Sequence, residues 1–251
     1  MNLDQKVNYF HNLRTGNYTE QPFNLSFMPE NEVQAYNIQK EVIKKLGFPV
    51  VGWKLGGTNS KTQQNFNCNS AYLGPVFSVN NTKPCFLDYD NIRGEAELTF
   101  RLGLRIESLS IDEIKKDPLQ FFDMVYPSLE LPFSSITNFK EVGMLPLIAD
   151  LCGTGHLSLG APSNLSSLDE VASSIKICSD KCVLAKGMKK NLIGGYKTVL
   201  ADFLKLVLMH NLDVKAGQYV ATGGLTDCIV IGSNTLVDID FEGLEIFSVI
   251  Y

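Results

Sequence analysis

The chain has 251 residues, enough for one large domain or a core with a smaller subdomain. It is 45% hydrophobic and 20% charged, the balance of a globular protein with a full core rather than of a disordered chain. A net charge of −5 and the lack of a basic stripe argue against nucleic acid as a partner.

The N-terminus, MNLDQKVNYFHNL, lacks the apolar region of a signal peptide, and no apolar run approaches a membrane span. The expectation is a cytoplasmic protein with no membrane partner. The first predicted helix lies near residues 30–46, where Val33, Tyr36, Ile38, Val42, Ile43 and Leu46 follow helical spacing. Gly47 is its natural stop. VVGWKLGGT then reads as a short strand ending in glycines. A looser stretch rich in Asn, Gln and Ser leads to LGPVF at Leu73.

RGEAELTFRLG, from Arg93, has the alternation of a strand. Ala96, Leu98, Phe100 and Leu102 share one face, and Glu95 and Glu97 share the other. Adjacent carboxylates repel unless a cation sits between them, and oxygen-only ligands suit Mg²⁺ or Mn²⁺. A half-buried strand with a solvated acidic face gives the same pattern, so parity alone leaves both readings open.

IDEIKKDPLQFFDMVYP predicts helical turns broken at Pro118, and YPSLELPF a second strand with the lone carboxylate Glu130. LDEVASSIKICS, from Leu168, fits helix or strand. GGYKTVLADFLKLVLMHNL predicts a long helix with Leu200, Phe203, Leu204, Val207 and Leu208 on its apolar face. YVATGG, DCIVIG, TLVDIDF and LEIFSVIY read as short closing strands. A helix-led start and a strand-rich end predict an α+β fold.

Other motifs are weak. Cys68, Cys85, Cys152, Cys178, Cys182 and Cys228 are scattered and read as reduced. Cys178 and Cys182 would share one side of a helix, but no second pair accompanies them. His11, His156 and His210 are too few for a His-rich metal site. Lys186, Lys189 and Lys190 read as a solvated loop. GWKLGGT and IGGYKT lack phosphate-loop spacing, and there is no GxGxxG or GxSxG.

Five segments, in order, resemble the fumarylacetoacetate hydrolase superfamily, most closely its 2-keto-4-pentenoate hydratase and 4-oxalocrotonate decarboxylase branch. AYNIQ at Ala35 is similar to the family's Ala-Tyr-x-x-Gln helix. VGWKLGGT at Val51 is similar to its Gly-Tyr-Lys-Ile-Gly-x-Thr strand, with Trp53 for the tyrosine. GEAEL at Gly94 resembles the Glu-x-Glu metal strand, and PSLEL at Pro127 the strand of the third carboxylate. VKAGQYVATGGLT at Val214 resembles the Ala-Gly-Asp-x-Val-x-Thr-Gly segment.

The resemblance implies a mixed β-sandwich or roll, with a helix-containing N-terminal subdomain at 1–75 and a catalytic domain at 76–251. It implies that Glu95, Glu97 and Glu130 bind Mg²⁺ or Mn²⁺, and that Lys54 and Asp150 are catalytic. Thr154, Thr222 and Gly223 would face substrate. Read without it, Lys54 is equally a solvated strand lysine, and Thr154 and Thr222 are turn hydroxyls. The implied assembly is a homo-oligomer. The implied activity is a metal-dependent lyase on small 2-oxo or 2-hydroxydienoic acids of aromatic-compound catabolism, hydratase-like, through a metal-stabilised enolate. A 4-oxalocrotonate-type decarboxylase shares that enolate. A C–C hydrolase would need a His–Glu pair on an N-terminal lid, for which His11 and Glu20 are the candidates.

There are departures. No arginine follows Glu130, where Leu131, Pro132, Phe133, Ser134 and Ser135 stand. Leu151 replaces an asparagine, Tyr72 and Leu73 stand where an acidic turn is common, and Gln218 replaces an aspartate. These changes leave room for a non-catalytic binding member. They also predict a cavity that prefers a monocarboxylic 2-oxo acid to a dicarboxylic one.

Overall fold

The computed structural model describes residues 1–16, 20–80, 86, 91–168 and 172–251. Asn2 opens helix α1 (Leu3–Thr15) with a capping box: its side chain accepts from the Gln5 N–H, and Gln5 reaches back to the Asn2 N–H. Helix α2 (Glu32–Leu46) is capped by Asn31 and closed by Gly47 at φ 70°, as the sequence predicts. α2 buries Ala35, Tyr36, Ile38, Gln39 and Val42. Two polar residues on that face bind backbone. The Tyr36 hydroxyl accepts from Leu73 N–H at 2.9 Å, and Gln39 Nε2 donates to the carbonyls of Leu73 and Ile148, both at 2.9 Å. The Ala-Tyr-x-x-Gln pattern is therefore how this helix grips the sheet.

The strands follow as β1 (Gly52–Gly56), helix α3 (Ser60–Asn65), β2 (Tyr72–Val76), β3 (Arg93–Leu102), helix α4 (Ile111–Lys116) and β4 (Phe122–Leu131). Helices α5 (Phe139–Val142) and α6 (Met144–Ala149) precede β5 (His156–Leu159), β6 (Ile175–Ser179) and β7 (Cys182–Gly187). Helix α7 (Gly195–His210) is followed by β8 (Tyr219–Ala221), β9 (Ile229–Val230), β10 (Leu236–Phe241) and β11 (Phe247–Ile250).

The larger sheet runs β2-β1-β8-β3-β4-β5, with β9 on the start of β3; the smaller runs β11-β10-β6-β7. Within the larger sheet β1 and β8 are parallel and the other pairs antiparallel. One contiguous core runs from Phe10 and Tyr36 through Leu98 and Phe100 to Phe203 and Ile239. A boundary at residue 75 falls inside β2, whose register with β1 runs from Gly52↔Val76 to Gly56↔Tyr72. The two long N-terminal helices lie before that sheet, and β1 and β2 are part of it.

Two local expectations change. Residues 175–187 form a hairpin, so Cys178 and Cys182 lie on paired strands rather than on one side of a helix. Leu208, expected in the core, is exposed on α7, while His210 is buried there. Cys85 lies outside the described residues; the other five cysteines are free.

Candidate metal centre

The β3–β4 register sets Glu95 opposite Glu130 and Glu97 opposite Ser128. Paired residues share a face, so the three carboxylates project together. Lys54 pairs with Ala221, and Ala221 with Thr99, which places Lys54 on the same face two strands away. One carboxylate oxygen from each of Glu95, Glu97 and Glu130 lies within 4.8 Å of the others. Glu97 is 0% and Glu130 2% exposed, and Lys54 is 6% exposed, while Glu95 is half-buried at the edge of a cavity. A wet acidic strand is thereby excluded.

At an effective dielectric of about 20, two full charges this close repel by at least about 3 kcal/mol. Lys54 Nζ forms an ion pair with Glu130 Oε1 and supplies one positive charge against three carboxylates. Burial pushes the Glu95 carboxyl up to about 7, with Glu130 adding to the rise and Lys54 opposing it. Burial also raises Glu97 well above the carboxylate range, helped by Glu130 and Glu95. Burial pulls Lys54 down, but Glu130, Glu97 and Glu95 outweigh it and hold the ammonium above its ordinary range. Glu97 Oε1 and Glu130 Oε2 are buried without a hydrogen-bond partner among the described residues. Orphaned, converging carboxylate oxygens fit a hard divalent cation.

The turn after β8 shapes this centre. The Gly223 N–H donates to Glu97 Oε2 at 2.8 Å, and Gly223 has φ 91°. A Cβ on Gly224 would stand 2.2 Å from Glu95 Oε2, so only glycine leaves the carboxylate its place. Asn59 caps α3 with its oxygen and donates from Nδ2 to the Gly224 carbonyl at 2.8 Å, tying the turn to β1. The sequence reading passed over Asn59, although an Asn just before a helical turn is a cap signal.

A cavity of roughly 710 Å³ opens beside Lys54 and Glu95. Its lining includes the apolar Phe66, Phe133, Ile136, Phe139 and Leu147 and the polar Asn59, Lys61, Arg93, Lys186, Lys190 and Asn191. Of the residues expected at the site, Lys54, Glu95 and Gly223 line this cavity. Thr222 does not: its N–H and hydroxyl both donate to the Leu98 carbonyl, at 3.0 and 2.9 Å, extending the sheet. Thr154 is fully buried away from it, its carbonyl accepting from Arg14 at 3.0 Å.

Asp150 does not line the cavity either. Its Oδ1 meets Arg14 Nε at 2.8 Å, and its Oδ2 accepts from Arg14 Nη2 at 3.0 Å and from the Ser134 hydroxyl at 2.6 Å. With both oxygens engaged it is a clasp for α1 rather than a group presented to substrate. His11 pairs with Asn12 and Thr15 on its own helix, and neither His11 nor Glu20, the candidates for a hydrolase lid pair, lines the cavity. Two departures from the family pattern compensate each other: the Trp53 indole N–H donates to Gln218 Oε1 at 3.1 Å, outside the cavity.

No protein-family model matches the chain. A curated relative, the 4-oxalocrotonate decarboxylase of Pseudomonas sp. (strain CF600), is 22% identical over 220 residues, covering 84% of this chain and 81% of that protein. Among solved structures, 4-oxalocrotonate decarboxylase from Pseudomonas putida G7, complexed with magnesium and adipate, superposes with a TM-score of 0.79 at 18% identity, over 99% of this chain and 97% of that one. A fumarylacetoacetate hydrolase family protein from Yersinia pestis CO92 superposes with a TM-score of 0.54 at 13% identity, over 81% and 94%. The chain thus has the α+β fumarylacetoacetate hydrolase-like fold. The resemblance read from the sequence, to that superfamily and to its hydratase and decarboxylase branch, is borne out. No described helix is long and apolar enough to cross a membrane.

Proposed function

We propose that the chain is a divalent-metal-dependent lyase that decarboxylates a small 2-oxo acid. The observation that carries this reading is the convergence of half-buried Glu95 with buried Glu97 and Glu130 beside Lys54, where Glu95 and Lys54 line an open cavity. The relative and the structural neighbour named as decarboxylases favour carbon dioxide loss over the hydration first expected.

The three glutamates would hold Mg²⁺ or Mn²⁺, which would supply Lewis-acid polarisation of the 2-oxo group. The Gly223 N–H keeps Glu97 turned toward its neighbours. Phe66, Phe133, Ile136, Phe139 and Leu147 give the cavity apolar lining against which the carbon chain of a substrate could pack. The bond that breaks is the one to the distal carboxylate, which leaves as carbon dioxide, and its electron pair moves through the conjugated double bond toward the 2-oxo oxygen, where the cation would stabilise it. Lys54 Nζ, held as an ammonium by Glu130, supplies the proton that replaces carbon dioxide.

Turnover assays test this. With Mg²⁺, 4-oxalocrotonate should release carbon dioxide, and without it release should fall to background. Hydration of 2-hydroxypenta-2,4-dienoate with no carbon dioxide from 4-oxalocrotonate makes the chain a hydratase instead. Turnover of neither substrate leaves a binding role.

Magnesium affinity should depend on pH. The Glu95 carboxyl, raised to about 7, is mostly protonated below that point and must release its proton to hold a cation. Raised acids favour the protonated folded state, so the metal-free protein loses this contribution as pH rises toward 7, and bound metal restores it. The magnesium-induced rise in Tm should therefore grow between about pH 6 and pH 8, with affinity changing by up to about tenfold per pH unit below the midpoint. A Glu95→Gln variant should flatten the dependence. A flat profile in the unaltered protein removes Glu95 from the metal centre.

A further inference from the structure

Tyr72 lies on β2 opposite Gly56 of β1, and Gly74 stands opposite Lys54. Opposed residues share a face, and positions two apart share it again. The Tyr72 phenol therefore enters on the side of Lys54 and the three glutamates. Tyr72 is 3% exposed and lines the cavity together with Lys54 and Glu95. Small neighbours make its place. A Cβ on Gly56 would overlap both the ring and the hydroxyl, and one on Gly57 would stand 3.2 Å from the ring. The ring thus lies over the two glycines at the end of β1. Phe66, also in the cavity wall, meets it edge-on with ring centres 6.4 Å apart.

Buried tyrosines ordinarily spend their hydroxyl on the fold. Tyr36 does so on the Leu73 N–H, Tyr9 on the Asn24 N–H and Tyr251 on the Ser158 hydroxyl. The Tyr72 hydroxyl has no hydrogen-bond partner among the described residues. A phenylalanine would cover the glycines equally well, so packing gives no reason for the oxygen. Burial holds the phenol well above its ordinary range, with Cys152, Cys68, Glu95 and Glu130 adding to the rise. It therefore meets a ligand as a neutral donor rather than as a further anion beside the glutamates. Neighbouring donors are already engaged: Lys54 Nζ by Glu130, the Gly223 N–H by Glu97 and Asn59 Nδ2 by the Gly224 carbonyl. The phenol is left for the ligand.

We infer that Tyr72 is a second catalytic residue, whose hydroxyl donates a hydrogen bond to the substrate's 2-oxo oxygen as that oxygen gains negative charge. This rests on the metal-dependent decarboxylase reading. The phenol keeps its proton throughout. Its bond strengthens as the electron pair arrives and so lowers the barrier, while Lys54 delivers the proton that replaces carbon dioxide. Tyr72 stands among the departures read from the sequence, and its phenol gives that position a neutral donor where an acidic residue is common.

Tyr72→Phe tests it, because the variant deletes the oxygen and keeps the ring. With 4-oxalocrotonate and magnesium, kcat should fall about 100-fold while KM changes by less than about threefold. A pair of small ligands gives a readout without turnover. Oxalate carries the extra negative charge of an enolate, and pyruvate the neutral carbonyl. In calorimetric titrations of the magnesium-loaded protein, the variant should lose about tenfold in oxalate affinity and little in pyruvate affinity. The oxygen has no partner in the described fold, so the metal-free Tm and its rise with magnesium should match those of the unaltered protein. Unchanged kcat and oxalate affinity, an equal loss for both ligands, or a lowered metal-free Tm overturns the role of Tyr72 and leaves the metal-dependent reading in place. Binding of neither ligand to the unaltered magnesium-loaded protein overturns that reading and the role of Tyr72 with it.

Discussion

Replacing Lys54 by methionine should lower turnover at least about 100-fold in the magnesium-loaded protein, the lower range for loss of acid–base assistance. Lys54 lies on β1, 6% exposed, at the floor of the cavity and paired with Glu130. Methionine keeps the length and fills the space, but it has no proton to give. The loss should appear mainly in kcat, because the metal-facing end of the substrate would still be held. A second readout is independent of activity. Without Lys54, no ammonium offsets the three carboxylates, and removing one partner of a buried pair costs about 3–5 kcal/mol. The metal-free variant should therefore melt earlier than the unaltered metal-free protein. Magnesium should raise its Tm by more than it raises that of the unaltered protein, because the emptied site is more negative. Unchanged turnover would remove Lys54 from the chemistry. An unchanged magnesium-free Tm would show that protonation of the glutamates already compensates for it.

The sequence carried the faces of single strands further than the pairing between them. Alternation in β3 is visible because side chains reverse face at every residue, and it set Glu95 and Glu97 together. That this acidic face is buried, and that Glu130 stands across from Glu95, depends on the β3–β4 register, which no local pattern prints. Helix α1 was missed for a physical reason: two of its five buried positions are Lys6 and Arg14, which break the apolar stripe a periodicity reading needs. Lys6 is satisfied by the Met28 carbonyl and Gln34, and Arg14 by the Asp150 loop. The β6–β7 hairpin hid because its turn is Asp180-Lys181, both at positive φ, rather than the Asn-Gly or Asp-Gly pair that announces such turns. Lys186 and Lys190 looked solvated because the sequence does not show that their rim folds over the turn next to the glutamates.

Replacing Arg14 by methionine should destabilise the protein by about 3–5 kcal/mol, the cost of leaving a buried carboxylate without its partner. Arg14 is 1% exposed and comes from the N-terminal helix. Besides Asp150, it donates to the carbonyls of Phe133 at 2.8 Å, Thr154 at 3.0 Å and Asp150 itself, and its guanidinium lies 5.3 Å from the Phe86 ring centre. The loop it holds is strained: Leu151 and Cys152 both have φ 55° and Gly153 has φ 64°, a run of left-handed residues that side chains disfavour. Cys152 and Gly153 line the cavity, so the clasp fixes part of the cavity wall from behind. Burial raises the Asp150 carboxyl above its ordinary range, and Arg14 and Ser134 offset only part of the rise. Urea unfolding should show the loss in Arg14→Met. The double variant Arg14→Met/Asp150→Leu should lose less than the two single losses combined, since it removes both buried charges. Asp150→Asn, assayed where it remains folded, should keep magnesium affinity and most of its kcat. A collapse of kcat in folded Asp150→Asn, with magnesium binding intact, would return Asp150 to the chemistry and sink the clasp.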